Sequence, residues 1–272
     1  MLNITDFTYH LPGHAIAHSP TRERDHSRLL ILDRRDGSIS HTRFFDLPNL
    51  LDTSTVIVRN NTKVIKARLF GYKPSGGKVE ILLNKKLAIA DKTAAPFEYW
   101  ECLTKPGLKP GTSVKFTGTD LTAECIPETP DNSTPPGYTR ILRFSQTGNV
   151  FLQTLDHIGH TPLPPYIKND DLDKTIARAY QTTFARVPGS VAAPTAGLHL
   201  TTELENTLKN KGIQILDLTL HVGLGTFLPV KINDISKHYM HSEWYELSEQ
   251  TATELNRAKA HGKKILGIGT TS

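Results

Sequence analysis

Between Lys66 and Ser145 the chain carries six short segments rich in β-branched, aromatic and aliphatic residues, at 67–72, 79–83, 99–103, 114–116, 121–126 and 139–144. Turn chemistry separates them: Gly76-Gly77, Pro106-Gly107, Pro110-Gly111 and Pro135-Pro136-Gly137. Glycine serves such turns because it admits positive φ, and proline because its ring pre-sets φ. Six short strands at this spacing predict a small antiparallel β-barrel over 66–145.

The flanks read differently, so the barrel is expected as an insertion in an α/β main domain formed by 1–65 and 146–272. In the first flank the apolar runs Leu29-Leu30-Ile31-Leu32 and Val56-Ile57-Val58 read as buried strands. Asp36-Gly37 predicts a hairpin turn back to Ile39, and Leu47–Leu51 a brief helix or turn. After the connector Pro162-Leu163-Pro164-Pro165-Tyr166, helix and strand alternate. Thr202 and Glu205 fit a capping box, Leu204 and Leu208 share one helix face, and Gly212 ends that helix. In the strand 213–222 the two-residue period sets Leu216, Leu218, Leu220 and Val222 opposite Asp217, Thr219 and His221. Ser248 then caps a helix running to about Ala260, and 264–267 is a further strand. The fold class expected is multi-domain, an α/β main domain with an inserted small antiparallel β-barrel.

Bulk properties exclude several function classes. The 272 residues are 38% hydrophobic and 22% charged, ordinary for a globular protein, and no apolar run approaches the ~20 residues a membrane span needs. No secretion signal is visible at the N-terminus, and two cysteines without CxxC spacing fit a reducing cytosol, so a cytoplasmic protein is expected. A net charge of +5 tilts the chain towards polyanions. Arg22, Arg24, Arg28, Arg34, Arg35 and Arg43 form either a basic face or ordinary solvated charge.

The residues that invite chemistry cluster in 188–230, where PGSVAAPTAGLHLT and LTLHVGLGTFLPV combine histidines with small residues. His199 and His221 stand where apolar segments meet glycine-rich loops, and imidazole titrates near neutrality, so each is a candidate acid or base or a satisfied structural group. Gly223-Leu224-Gly225-Thr226 reads as a tight structural turn or as a loop whose backbone NH groups approach an anionic or nucleoside ligand. It is no dinucleotide fingerprint: the third glycine is absent and 226–232 reads as extended. Around 194–197 there is no P-loop, and Ser190 lacks a nucleophile elbow. His238, His241 and Glu243 match no established zinc spacing, so no metal is expected; Glu243 beside Trp244 suits a ribose hydroxyl or a proton.

Together the runs SRLLILDR (27–34), PLPPYI (162–167), YQTTFARVPGSVAAPTAGLHLT (180–201), LHVGLGTFLPV (220–230), HYMHSEWYE (238–246) and GIGTTS (267–272) resemble the S-adenosylmethionine:tRNA ribosyltransferase-isomerases of queuosine biosynthesis, over essentially the whole chain. The resemblance implies transfer of the ribosyl part of S-adenosylmethionine to an aminomethyl-7-deazaguanine base in the tRNA anticodon, with rearrangement to an epoxycyclopentane and release of adenine and methionine. It implies tRNA as partner and S-adenosylmethionine as co-substrate rather than cofactor; a monomer is expected. On this reading His199, His221 and Glu243 are the catalytic candidates, and Gly197, Gly223, Gly225 and Thr226 lie against the donor. Two departures from the family pattern stand out. Asn61 occupies the usual place of an acidic residue, and members of the family continue past GTTS. The second departure keeps open a shortened, non-catalytic tRNA-binding relative; a methyltransferase is disfavoured because no acidic-ended second strand follows a Gly-rich first turn.

Overall fold

The structure, a computed structural model, describes residues 2–17, 21–88, 97–127, 139–164, 174–227, 230, 232–238 and 240–272. In chain order the elements are β1 (Arg28–Leu32), β2 (Ile39–Arg43), α1 (Leu47–Leu50), β3 (Thr55–Asn60), β4 (Thr62–Val64), β5 (Arg68–Tyr72), β6 (Lys78–Leu87), β7 (Glu98–Lys105), β8 (Ser113–Lys115), β9 (Thr122–Ile126), β10 (Arg140–Phe144), α2 (Gly148–Ile158), α3 (Lys174–Ala179), β11 (Val187–Ser190), α4 (Thr202–Asn210), β12 (Gln214–His221), β13 (Trp244–Glu246), α5 (Glu249–Ala260) and β14 (Lys264–Ile268). They fall into two compact units, one comprising Met1–Ile16, Ile65–Asp173 and Gly223–Glu243, the other Ala17–Val64, Lys174–Val222 and Trp244–Ser272.

In the first unit the six strands foreseen between 66 and 145 close into an antiparallel barrel in the order β10-β7-β6-β5-β8-β9. Alternation explains its interior: Val79, Ile81 and Leu83 of β6 are buried while the intervening Glu80 and Leu82 are only half covered. Burying each such aliphatic side chain contributes about 1.5–3 kcal/mol relative to leaving it in water. Helix α2 adds Phe151, whose ring lies 5.0 Å from Phe144 and 6.2 Å from Trp100. The turn at Pro135-Pro136-Gly137 and residues Pro165 and Tyr166 of the connector lie outside the described residues.

The second unit is built on a four-stranded sheet in the order β13-β12-β3-β14. Strand β3 is buried along its whole length and runs parallel to both neighbours, as a central strand covered on two faces must. Leu204 and Leu208 of α4 close the core against Leu47, Ile57, Leu200, Ile213 and Ile268. Ser248 caps α5 as expected, its Oγ accepting from Thr251 N at 3.1 Å. A short parallel pair, β4 with β11, and the β1–β2 hairpin complete the unit.

Three local expectations are corrected. The run Leu29–Leu32 does form a strand and does turn back at Gly37, but the hairpin is a two-stranded arm, with Leu30 54% and Leu32 55% exposed. The cap of α4 sits one residue earlier: extended Thr201 accepts from Leu204 N at 3.2 Å, which leaves Glu205 outside a capping box and paired with Arg59. Thr226 is not extended; it belongs to a 3₁₀ turn over Leu224–Phe227.

Candidate active site

Strand β12 ends at His221, and the residues around that imidazole come from three distant parts of the chain. Thr62 on β4 places its Oγ1 2.7 Å from His221 Nδ1. The Trp244 ring on β13 stacks on the imidazole, with centroids 4.8 Å apart and planes 22° apart. This contact follows from register, because His221 and Trp244 are directly paired across the antiparallel ladder. At the remaining edge stands Gly189, where an added Cβ would lie 2.5 Å from His221 Nε2. Its φ of +152° also suits glycine alone. Burial strips water from the ring and pulls its pKa down to about 4, so the imidazole is neutral at pH 7. When Nδ1–H donates to Thr62, the lone pair lies at Nε2, on the edge that glycine leaves without a side chain.

The backbone beneath His221 is held by amide and hydroxyl side chains. Asn60 Nδ2 donates to Leu220 O at 2.8 Å, and its Oδ1 accepts from Leu220 N and Thr62 N, both at 3.0 Å. Ser190 Oγ accepts from Val222 N at 2.9 Å and donates to Ala192 O at 2.7 Å. Asn61 accepts from Thr219 Oγ1 at 2.7 Å, and its carbonyl accepts from the amides of Arg186 and Val187. The side chain at position 61 therefore serves as a buried acceptor at the β3–β4 junction, a task that needs an oxygen but no charge.

His199 belongs to the same unit, at the end of a 3₁₀ turn over Thr195–His199. Its Nδ1 lies 3.2 Å from Arg24 O. A carbonyl only accepts, so Nδ1 carries the proton of this bond. Phe44 flanks the ring at 5.3 Å. Gly197 in this turn is buried, and a Cβ there would meet Phe184 Cζ at 2.9 Å. Small residues are thus required here by tight packing.

The glycine turn after β12 lies in the barrel unit and has its own set of partners. Gly223 N donates to Glu243 Oε1 at 2.9 Å, and Leu224 N to Asn84 Oδ1 at 2.8 Å. Asn84 in turn donates from Nδ2 to Glu101 Oε1 at 2.7 Å, and Glu101 is a buried residue of β7. The register of β6 against β7 shifts between Leu83 and Lys85, so Asn84 is the bulge residue; bulges re-aim a side chain in this way. A Cβ at Gly225 would run into the ring of His241, whose Nε2 lies 3.5 Å from Glu243 Oε1. Thr226 is exposed, with its amide directed to Gly223 O.

Two of the backbone NH groups considered for a ligand are accordingly committed to Glu243 and Asn84. Among the described residues Glu243 Oε2 has no partner. The structure brings Glu243 to Gly223, and His241 to Gly225 and Glu243; His221 and His199 keep separate sets of neighbours. His238 closes a different 3₁₀ turn through its own amide, to Ile235 O. Thr62, Gly189, Asn84 and Glu101 are not among the candidates the sequence singles out, and Trp244 enters there only as the neighbour of Glu243. The signals available were an asparagine interrupting an apolar alternation and a glycine before a buried serine.

Taken together, these features define an enzyme-type architecture: an α/β sheet with an inserted barrel, and a neutral histidine followed by a braced glycine turn. The profile of the family described as queuosine biosynthesis protein matches residues 4–272, and the chain belongs to that family of tRNA-modifying enzymes. A relative from Staphylococcus aureus (strain JH9) is 43% identical over 276 residues, covering 100% of this chain and 75% of the relative. One from Staphylococcus haemolyticus (strain JCSC1435) is 44% identical over the same span. Both are named S-adenosylmethionine:tRNA ribosyltransferase-isomerase. A crystal structure of S-adenosylmethionine tRNA ribosyltransferase from Thermotoga maritima is 28% identical, covers 96% of this chain and 68% of that one, and has a TM-score of 0.41. Among the described residues no helix is long and apolar enough to cross a membrane.

Proposed function

We propose that this chain transfers and isomerises the ribosyl moiety of S-adenosylmethionine onto the aminomethyl-7-deazaguanine base of tRNA, giving epoxyqueuosine-tRNA and releasing adenine and methionine. The observation that carries the reading is the family match along residues 4–272, joined by relatives of that name aligned over the full chain. S-adenosylmethionine is a co-substrate here, no resident cofactor is invoked, and the protein acts on tRNA as a cytoplasmic monomer.

The sulfonium of the donor acidifies the neighbouring C5′ protons, so the first step calls for a base that is uncharged at pH 7. His221 suits that task, because burial keeps it neutral and Gly189 brings no side chain to its Nε2 edge. Departure of adenine calls for a proton or hydrogen bond at a ring nitrogen. His199, with Nδ1–H committed to Arg24 O, can serve there only with a second proton on Nε2, that is as imidazolium. Glu243 keeps Oε2 for a ribose hydroxyl or the aminomethyl group while Oε1 holds the turn. In this reading Gly197, Gly223, Gly225 and Thr226 lie against the donor as backbone, with contact expected through their Cα and carbonyl groups more than through the two committed amides.

Incubation with labelled S-adenosylmethionine and precursor tRNA tests the proposal by adenine release. Methylated tRNA would overturn it, and tRNA binding without turnover would replace it by a non-catalytic tRNA-binding protein. Near-normal turnover of His221→Ala at saturating tRNA would remove that residue from the mechanism.

A further inference from the structure

The β1–β2 hairpin has one face with nothing packed on it. Cross-strand pairing sets Arg28 opposite Arg43, Leu30 opposite His41 and Leu32 opposite Ile39, and all six residues are exposed. Residues directly opposite in a ladder share a face, so this is one continuous surface: cationic at its base, imidazole and aliphatic along its length. Five-residue strands make it ~17 Å long. At its far end the turn adds Arg34, while the nearby carboxylates are already used: Asp33 pairs with Arg35 at 2.6 Å and Asp36 accepts from Ser38 N at 2.9 Å. Among the described residues Arg28 and Arg34 have no hydrogen-bond or ion-pair partner. No acid lies on the face.

The arm is rooted firmly, beside a candidate catalytic residue. Arg24, just before β1, donates to Gln181 O at 2.6 Å and Arg178 O at 2.9 Å, and its own carbonyl holds His199. Asp25 accepts from Thr201 Oγ1 at 3.0 Å. At the other strand's end Phe44 meets the His199 ring. A projecting ribbon fixed in this way costs little ordering entropy when a ligand docks.

We infer that this face docks single-stranded RNA of the substrate tRNA, Arg28 and Arg34 taking phosphates at its two ends and Leu30, Leu32 and Ile39 lying against unpaired bases or riboses between them. The inference rests on tRNA being the substrate and names a surface for it. Charge decides for RNA over a second copy of this chain, because a self-paired face would set Arg28 and Arg43 against like charges. Unpaired nucleotides fit better than a duplex, since an A-form helix hides its bases from so broad a ribbon.

The test measures binding of a labelled anticodon stem-loop, and of a fully paired duplex of equal length, to the whole protein across a salt series. Arg28→Gln/Arg34→Gln is expected to weaken stem-loop binding about tenfold near physiological salt and to make the log–log salt slope shallower by about 1.4, the release from two single-stranded phosphate contacts. Leu30→Ser/Ile39→Ser is expected to weaken the stem-loop several-fold with an unchanged salt slope and Tm. Wild-type protein that binds the stem-loop, with both variants binding equally well, overturns this inference and leaves the proposed function standing. Wild-type protein without tRNA affinity overturns both. A wild-type dimer dissolved by Leu30→Ser/Ile39→Ser at unchanged RNA affinity, seen by sedimentation, assigns the face to a second copy instead.

Discussion

The hydroxyl of Thr62 and Nδ1 of His221, 2.7 Å apart, join the short strand β4 to the end of β12 and fix the imidazole against Trp244. Because that ring is buried neutral, its folded pKa of about 4 lies below the ordinary 6.5. Between those values the unfolded chain binds the extra proton, so stability should rise with pH across the window and be lost as pH falls from about 6.5 towards 4. Above 6.5 the contribution is complete. Urea unfolding over this range should give a clear slope for the native protein and a flatter one for His221→Gln. Equal slopes would mean the imidazole is as solvated folded as unfolded.

Gly189→Ala should displace the same ring. The new methyl would lie 2.5 Å from Nε2 on a backbone whose φ of +152° already disfavours a side chain, so a loss of about 1–3 kcal/mol is expected together with reduced adenine release. Gly76→Ala is the control: its φ is +84° but nothing lies within 4 Å of the added carbon. Comparing the two by thermal unfolding separates clash from backbone strain, and equal losses would show that His221 yields freely.

Barrel strands were legible because alternation and Gly/Pro turns are local signals; β6 buries Val79, Ile81 and Leu83 as its period dictates. Burial of the Leu29–Leu32 run was not legible, since an aliphatic run looks alike whether or not a second layer covers it. For the candidate site, the sequence pointed to His221 and Glu243 but not to what makes them distinctive. Thr62, Gly189 and Trp244 converge on His221 only through strand pairing across more than half the chain, and Asn84 reaches Leu224 only because β6 is bulged there. The displaced cap at Thr201 has the same origin: Glu205 satisfies the buried Arg59, a partner from β3 that no local pattern discloses.

Arg59 carries the largest stability prediction. Its guanidinium binds Glu205 at 2.8 Å and Asp217 at 2.7 Å and lies 4.0 Å above the Phe184 ring, with only 8% of the side chain exposed. Arg59→Ala takes the shared cation from two partly buried carboxylates, leaving Glu205 with Lys209 and Asp217 with no ion-pair partner among the described residues. A loss of about 3 kcal/mol is expected, the lower end for a broken buried pair because Asp217 keeps some water. Arg59→Lys should recover only part of it, since an ammonium cannot serve both carboxylates and stack on the ring. Denaturant midpoints order the three proteins, and a midpoint for Arg59→Ala near the native value would show that water replaces the guanidinium.

Asn84 gives the sharpest test of how the barrel braces the glycine turn. Its amide donates to Glu101 while its carbonyl receives Leu224 N, so both polar ends are spent. Asn84→Ala deprives the Leu224 amide of its acceptor and Glu101 of this donor, at about 1–3 kcal/mol. Asn84→Asp preserves the acceptor but sets a second carboxylate where the donor stood, 2.7 Å from Glu101 Oε1. Like charges so close raise the pKa of the new carboxyl in the folded protein, which then binds a proton more readily than the unfolded chain. The deficit of Asn84→Asp relative to native protein should therefore be large at pH 7 and shrink below about pH 5, whereas that of Asn84→Ala should stay constant. Parallel pH profiles for the two variants would mean that the Glu101–Asn84 bond does not bear on the turn.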